Sequence, residues 1–459
     1  MELIDSINGV LWGWILIILL VGAGLYLTCK TGFLQFRKFS YMWKNTIMSM
    51  FSPDQRHKDD SGVSPFQAVA TAMAGTIGTG SIAGLATAIG GGGPGAVFWM
   101  WISALLGMVT KYSEIVLSLK FREKNEKGEW VGGPMYYIKN GLGMKWLASA
   151  FCVFGMIACL GTGNATQSNS IALALKDIKI SPEKTFTVEP WVTGLVLTLL
   201  AAAVILGGMK RISSVNEKLV PFMAMFYVAL SLVALVIRWD RIPQAFAMIF
   251  REAFNFRAAA GGVAGYGIML AMKNGFSRGV FSNEAGLGSA PIAHAASTNK
   301  DPVRQGLWGM FEVFFTTIII CTISALIILT GDFWQSGEYQ GAALSIASFN
   351  EAIPYAGGWI VTVSTIFFAL STILGWAYYG EVCIGYLTGK SKKAINAYRI
   401  IYVAFVFVGA VGNLDLIWGI SEMMNGLMAI PNLIGVIGLS GVIVAATNEH
   451  FKKTKSKNK

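Results

Sequence analysis

The chain reads as an all-α polytopic membrane protein, and three observations carry that reading. It is 54% hydrophobic and only 13% charged, with a mean hydropathy of +0.56, whereas soluble domains carry about 25% charged residues. Its apolar residues gather into segments of about 20, the length that crosses a bilayer as a helix. Two of those segments are interrupted by clustered glycine and polar residues. Lipid tolerates broken backbone only where it is packed in protein or lines a cavity.

Roughly eleven segments have spanning length. They run near 9–28, 64–90, 94–119, 146–175, 190–208, 215–237, 258–292, 304–330, 356–387, 396–412 and 415–447. The last contains Pro431 and is long enough to be kinked or divided. The segment from Val10 to Leu27 has no basic stretch before it and no small-residue cleavage site after it, so it reads as a retained span.

Charge supplies the orientation. Lys30, Arg37, Lys38, Lys44, Arg56 and Lys58 precede the second span, and Lys120, Arg122, Lys124, Lys127, Lys139 and Lys145 follow the third. Lys210 and Arg211, Lys300 and Arg304, and Lys390, Lys392 and Lys393 occupy alternate loops after that. The opposite loop 331–358 has no Lys or Arg but carries Asp332, Glu338 and Glu351. By the positive-inside rule the basic loops and the Lys-rich tail are cytoplasmic, and an odd span count puts the N-terminus outside. The stretch 238–257, with Arg238, Arg241, Arg251 and Arg257, breaks the pattern and reads as an amphipathic helix on the outer surface. The net charge of +11 therefore marks membrane topology and no nucleic-acid partner. No obligate protein partner is implied.

Five scattered cysteines without a CxxC pair read as packing residues, and His57, His294 and His450 lie too far apart in sequence to suggest a histidine metal site.

The first interruption is Ala74-Gly75-Thr76-Ile77-Gly78-Thr79-Gly80-Ser81, with three glycines in six positions. Each costs about 1 kcal/mol in a helix interior, so this span breaks. The second interruption is placed at Asn274-Gly275-Phe276-Ser277-Arg278-Gly279. With the first span set aside, the two breaks fall in the first and sixth of ten remaining spans. Five spans reverse topology, so the halves are expected to be inverted copies whose broken helices meet at a binding site near the midplane. Close helix packing of the GxxxG kind is the competing explanation for either glycine cluster. The expected units are 1–63 (extra span and linker), 64–237 (first repeat), 238–257 (surface helix), 258–447 (second repeat) and 448–459 (basic cytoplasmic tail).

Two motifs point to a family. The run beginning Gly92-Gly93-Pro94-Gly95-Ala96-Val97-Phe98-Trp99 and continuing to Gly107 resembles the signature of the sodium:alanine symporters, the alanine/glycine:cation symporter family. The segment Arg278-Gly279-Val280-Phe281-Ser282-Asn283-Glu284-Ala285-Gly286-Leu287-Gly288-Ser289 is similar to another stretch typical of that family. The resemblance implies the LeuT fold of the amino acid–polyamine–organocation superfamily. It also implies sodium-driven uptake of alanine or glycine.

By that resemblance, the amides of Thr79 and Gly80 hold the substrate carboxylate and the carbonyl of Thr76 accepts from its ammonium. Free N–H groups at a half-helix start attract an anion. Phe276, Ser277 and Gly279 are expected to complete the pocket from the second break. Asn164 and Gln167, nearly one turn apart in a run of amides and hydroxyls within a span, are expected to face the substrate. Phe368, Ser371 and Thr372 put a carbonyl and two hydroxyls on one helical face. With carbonyls of Ala74 and Ile77 they form the expected sodium site. Local hydroxyl-to-carbonyl bonding is the competing reading of Ser371 and Thr372.

Charged residues inside spans are functional candidates by default. Lys111 and Glu114 are placed to pair on one helix, Arg278 and Glu284 to form a structural or gating pair, and Trp376 to line an inner vestibule. Three alternatives stay open: proton coupling through Glu284 or Glu381, a membrane-embedded enzyme, and a channel. The chain shows no HExxH motif, no clustered His or Asp, no GxSxG in a soluble-style context and no repeated filter loop.

Overall fold

The computed structural model describes residues 2–50, 52, 61–126, 128–176, 178–181, 184–254, 264–412 and 415–457. Part of the 1–63 linker, residues 255–257 of the expected surface helix and 258–263 of the following span lie outside these. The described chain is almost wholly helical. Eight helices are long and apolar enough to cross a membrane, and a ninth span is a pair bent by 57°.

The helices that matter below run in this order: α1 (Glu2–Lys30), α2 (Pro65–Thr76), α3 (Ala83–Gly92), α4 (Gly95–Lys120), α5 (Pro134–Leu142), α6 (Lys145–Lys176), α7 (Pro190–Ile205), α8 (Gly208–Ile237) and α9 (Ile242–Ala253). Then come α10 (Ala264–Asn283), α11 (Ala290–Ala295), α12 (Pro302–Leu329), α13 (Gly341–Ala352), α14 (Ala356–Leu387), α15 (Lys392–Val411), α16 (Asp415–Gly438) and α17 (Ser440–Lys457). Two of the expected spans miss the length and hydropathy of the rest. Helix α7 has 16 residues, and α10 is broken off by a polar turn.

Local sequence explains the ends that matter. Ser64 and Gln67 form a capping box at the start of α2, with Pro65 at its first position. Asp301 caps α12 through the amides of Val303 and Arg304. Pro431 sits inside continuous helix, and the division of the last segment comes instead at Leu439. The expected boundary at 447/448 falls inside α17, so the basic tail continues a helix as far as Lys457.

Helix α4 lies at the centre, packed between α10 and α12, while α6 packs on α14 and α16. Helix α2 contacts α8, α11 and α14. The amphipathic α9 turns its apolar face onto α4, where Phe250 and Phe254 meet Phe98. At the end away from α9, the chain entering α2 is tied to the chain leaving α11. Val63 donates to Ala296 O (3.0 Å) and accepts from Thr298 N (2.9 Å). Arg122 donates to the carbonyls of Ala295, Ser297 and Asn299 at 3.2, 2.5 and 2.7 Å.

Candidate functional site at the two broken helices

The first break falls where the glycines place it. Helix α2 ends at Thr76, Ile77 and Gly78 leave helical geometry, and a 3₁₀ turn covers Thr79–Ser81 before α3 begins. The bonds that close that turn run from Ser81 N to Gly78 O and from Ile82 N to Thr79 O. The amides of Thr79 and Gly80 are therefore the turn's leading donors. An added Cβ at Gly78 would lie 2.8 Å from Thr372 Oγ1, so α14 approaches because no side chain stands there.

The second break is not at 274–279. Helix α10 is continuous through Asn283, and the chain leaves it at Glu284 (φ 56°), Gly286 (φ 92°) and Gly288 (φ 83°) before α11. The cause is what Gly275 and Gly279 face. An added Cβ would lie 2.5 Å from Ala96 O at the first and 3.0 Å from Ser103 Oγ at the second. This GxxxG pair lets α4 and α10 pack backbone to backbone. Asn274 meanwhile satisfies its amide one turn back, on Leu270 O (2.9 Å). Phe276 accordingly stacks near Trp99, with centroids 5.9 Å apart, and with Ser277 it lines a crevice beside α1. Phe276, Ser277 and Gly279 are thus in the α4–α10 interface, away from the first break.

Between the two breaks lies a cavity of about 20 Å³, room for about one water. Gly75, Thr76, Gly78 and Gly80 line it from the first break, and Phe281, Glu284 and Leu287 from the second. Thr162, Gln167, Thr372, Trp376 and Asn425 complete it. Alanine would have to displace wall side chains, and Phe281, Leu287 and Trp376 are the bulky ones there.

Of the residues expected from sequence, Thr76, Gly80, Gln167 and Thr372 reach this cavity. Thr79 joins them through its hydroxyl, which donates to Gln167 Oε1 (3.1 Å), while Gln167 Nε2 donates to Thr162 O (3.0 Å). Asn164 does not. It lies in a π-helical turn, Gly161–Ala165, and donates to Tyr402 O (2.6 Å) on α15. The π-turn breaks the α-helical spacing that would have put the two amides on one face.

Four of the five expected ion-site residues also converge, Ile77 being the exception. Thr372 Oγ1 lies 3.0 Å from Ala74 O and 2.9 Å from Phe368 O, and Ser371 Oγ lies 3.4 and 2.9 Å from the same two oxygens. Two carbonyls and two hydroxyls form one compact oxygen cluster, the donor set a hard cation takes. Ile77 caps α2 through its amide on Met73 O (2.7 Å), and neither hydroxyl bonds to its carbonyl.

The buried charges have other partners than the sequence suggested. Lys111 pairs with Glu312 on α12 (3.1 Å) and donates to Thr76 Oγ1 (3.1 Å) and Asn283 O (2.9 Å), so it touches the last residues of both α2 and α10. Glu312 also meets His294 (2.7 Å), whose other ring nitrogen faces Gln305 (2.9 Å). Glu114 bonds to Asn432, which also binds Gly286 O. Arg278 stands 4.0 Å from Glu422, and Glu381 forms a two-pronged pair with Arg399 at 2.8 and 2.6 Å. Glu284 accepts from Ser289 Oγ (2.5 Å) and Trp376 Nε1 (3.0 Å).

Phe281, Leu287, Thr162 and Asn425 were missed as site residues, and Glu284, singled out as an intramembrane charge, was not placed in the pocket wall. The signal for three of them was the Gly286-Leu-Gly288 pair, which required positive φ and marked the true break.

The fold and site define a multi-pass helical membrane protein with a polar cavity between two broken helices. The sodium:alanine symporter family model matches residues 1–459, and the chain belongs to that family. It is 46% identical over 466 residues to a Methanococcus maripaludis protein described as the sodium/alanine symporter AgcS, covering 100% of this chain and 99% of the relative. An uncharacterised transporter from Haemophilus influenzae is 45% identical, covering 99% and 97%. A Bacillus subtilis protein described as the probable sodium/glutamine symporter GlnT is 35% identical, covering 99% and 91%.

Proposed function

We propose that the protein imports alanine or glycine with sodium by alternating access at the paired breaks. The observation that carries this reading is the oxygen cluster of Ala74, Phe368, Ser371 and Thr372. It abuts the same break whose amides at Thr79 and Gly80 lead a helical turn. One interruption thereby serves both loads. Sodium sits on the Ala74 side, with Ile77 as a further carbonyl, and the substrate carboxylate on the Thr79–Gly80 side. Thr76 offers its carbonyl to the ammonium, Gln167 holds Thr79, and Phe281 closes the pocket in the place first given to Phe276.

The architecture that goes with this reading is an inverted five-helix repeat of LeuT type, 64–237 and 258–447, with one extra N-terminal span and eleven spans in all. The basic loops and α17 are cytoplasmic and the N-terminus is outside. Membership of a symporter family and relatives described as symporters support transport over enzymatic chemistry.

Uptake of labelled alanine into proteoliposomes tests this. An inward sodium gradient should drive accumulation that neither potassium nor a proton gradient reproduces. Equal uptake under all three conditions rejects sodium coupling.

A further inference from the structure

The cavity between the breaks is walled by backbone and neutral side chains, with one carboxylate among its described lining residues, that of Glu284. Glu284 is 4% exposed, and its oxygens accept from Ser289 and Trp376. Among the described residues no basic group forms an ion pair with it. Lys111, the basic group whose field reaches Glu284, is ion-paired to Glu312. The Lys111–Glu312 pair carries no net charge, and Glu114 is turned to Asn432 and does not line the cavity. Glu284 is also held in the left-handed region, at φ 56°, which ordinary residues avoid. A second, separate feature points the same way. Asn425 lines this cavity at 1% exposure, and its Oδ1 has no hydrogen-bond partner among the described residues.

Two acceptors facing one small cavity suit a cationic load, and charge balance says which load. The oxygen cluster of Ala74, Phe368, Ser371 and Thr372 brings no formal charge, and an amino acid zwitterion brings none either. Sodium bound beside them leaves one uncompensated positive charge in a low-dielectric interior, which is costly. The Glu284 carboxylate brings the loaded site to zero. Without the cation, Glu284 is itself the unbalanced charge, so each favours the other's presence.

We propose that Glu284 is the counter-charge of the co-transported cation, presented by the left-handed turn at the second break, with Asn425 as an additional acceptor. This rests on the sodium-coupled reading above, and the two fail in different ways.

The test uses the full chain in proteoliposomes and measures the sodium concentration that half-saturates alanine uptake. Glu284→Gln preserves shape and removes charge. It should raise that concentration at least about tenfold, within the usual span of coupling between sites, and by a larger factor than it raises the alanine KM at saturating sodium. Glu284→Asp should recover part of the loss, and Asn425→Ala should raise the sodium requirement less than Glu284→Gln does. If the Gln variant does not fold, the Asp and Asn425→Ala variants decide, and parental sodium dependence in both overturns the proposal. Parental sodium dependence in a folded Glu284→Gln variant overturns it directly. A parent protein indifferent to sodium overturns instead the transport reading on which the proposal rests.

Discussion

The two broken helices solve one problem by different means. At Thr76–Ser81 the chain unwinds through backbone angles that are open to any residue, and its glycines serve closeness: Gly78 lets Thr372 come within reach. At Glu284–Ser289 the chain turns through three positive φ angles, two at glycine and one at a glutamate. A non-glycine residue there costs about 1–2 kcal/mol. The first break is neutral, offering carbonyls, amides and hydroxyls. The second carries the charge, Glu284, and is braced by Glu114 through Asn432. Lys111 spans the two, bonded to Thr76 on one side and Asn283 on the other. The comparison teaches that a helix break and a glycine cluster are separate things. At the second break glycine supplies positive φ, whereas at the first break and at Gly275 and Gly279 it supplies close approach.

That comparison predicts different failures at the two places. Gly288→Ala combines a left-handed angle with a Cβ 2.6 Å from Pro134 Cγ. It should cost about 2–5 kcal/mol from strain and overpacking together, seen as loss of monodisperse protein or a large fall in thermal midpoint. The double substitution Ser371→Ala with Thr372→Ala should spare the fold and raise half-saturating sodium about tenfold or more, since two of four oxygens go. Unchanged sodium dependence would leave both hydroxyls with only the bonds they already donate to Phe368 O and Ala74 O. Gln167→Ala removes the partner of Thr79 and should raise the alanine KM about three- to tenfold, the worth of one hydrogen bond. Asn164→Ala, next to it in the same helix, should leave that KM within about twofold while lowering thermal stability, because only Tyr402 O loses its partner. A matched KM shift in both would put the two amides back on one face.

Much of this was legible in the amino-acid order because it is local. Spanning helices follow from runs of apolar residues. The first break falls within the cluster Gly75, Gly78 and Gly80, each of which weakens a helix interior. The oxygen face of α14 follows from the helical spacing of Phe368, Ser371 and Thr372, which meets Ala74 as expected. Gln167 was also legible as a polar group needing a cavity.

The second break was not legible, because Gly275 and Gly279 look like a break until α4 is laid against them. Asn164 was misplaced because a π-turn shifts the register by one residue. The ion pairs were out of reach for the same reason. Lys111 has Glu114 three residues away in its own helix, and its partner is Glu312, which only folding brings across. Sequence alone determined how much helix there is, that it spans a membrane, and where one helix must fail, since propensity and hydropathy are properties of neighbours along the chain. Tertiary structure decided which glycines bend the chain and which charges meet, since both depend on what lies opposite.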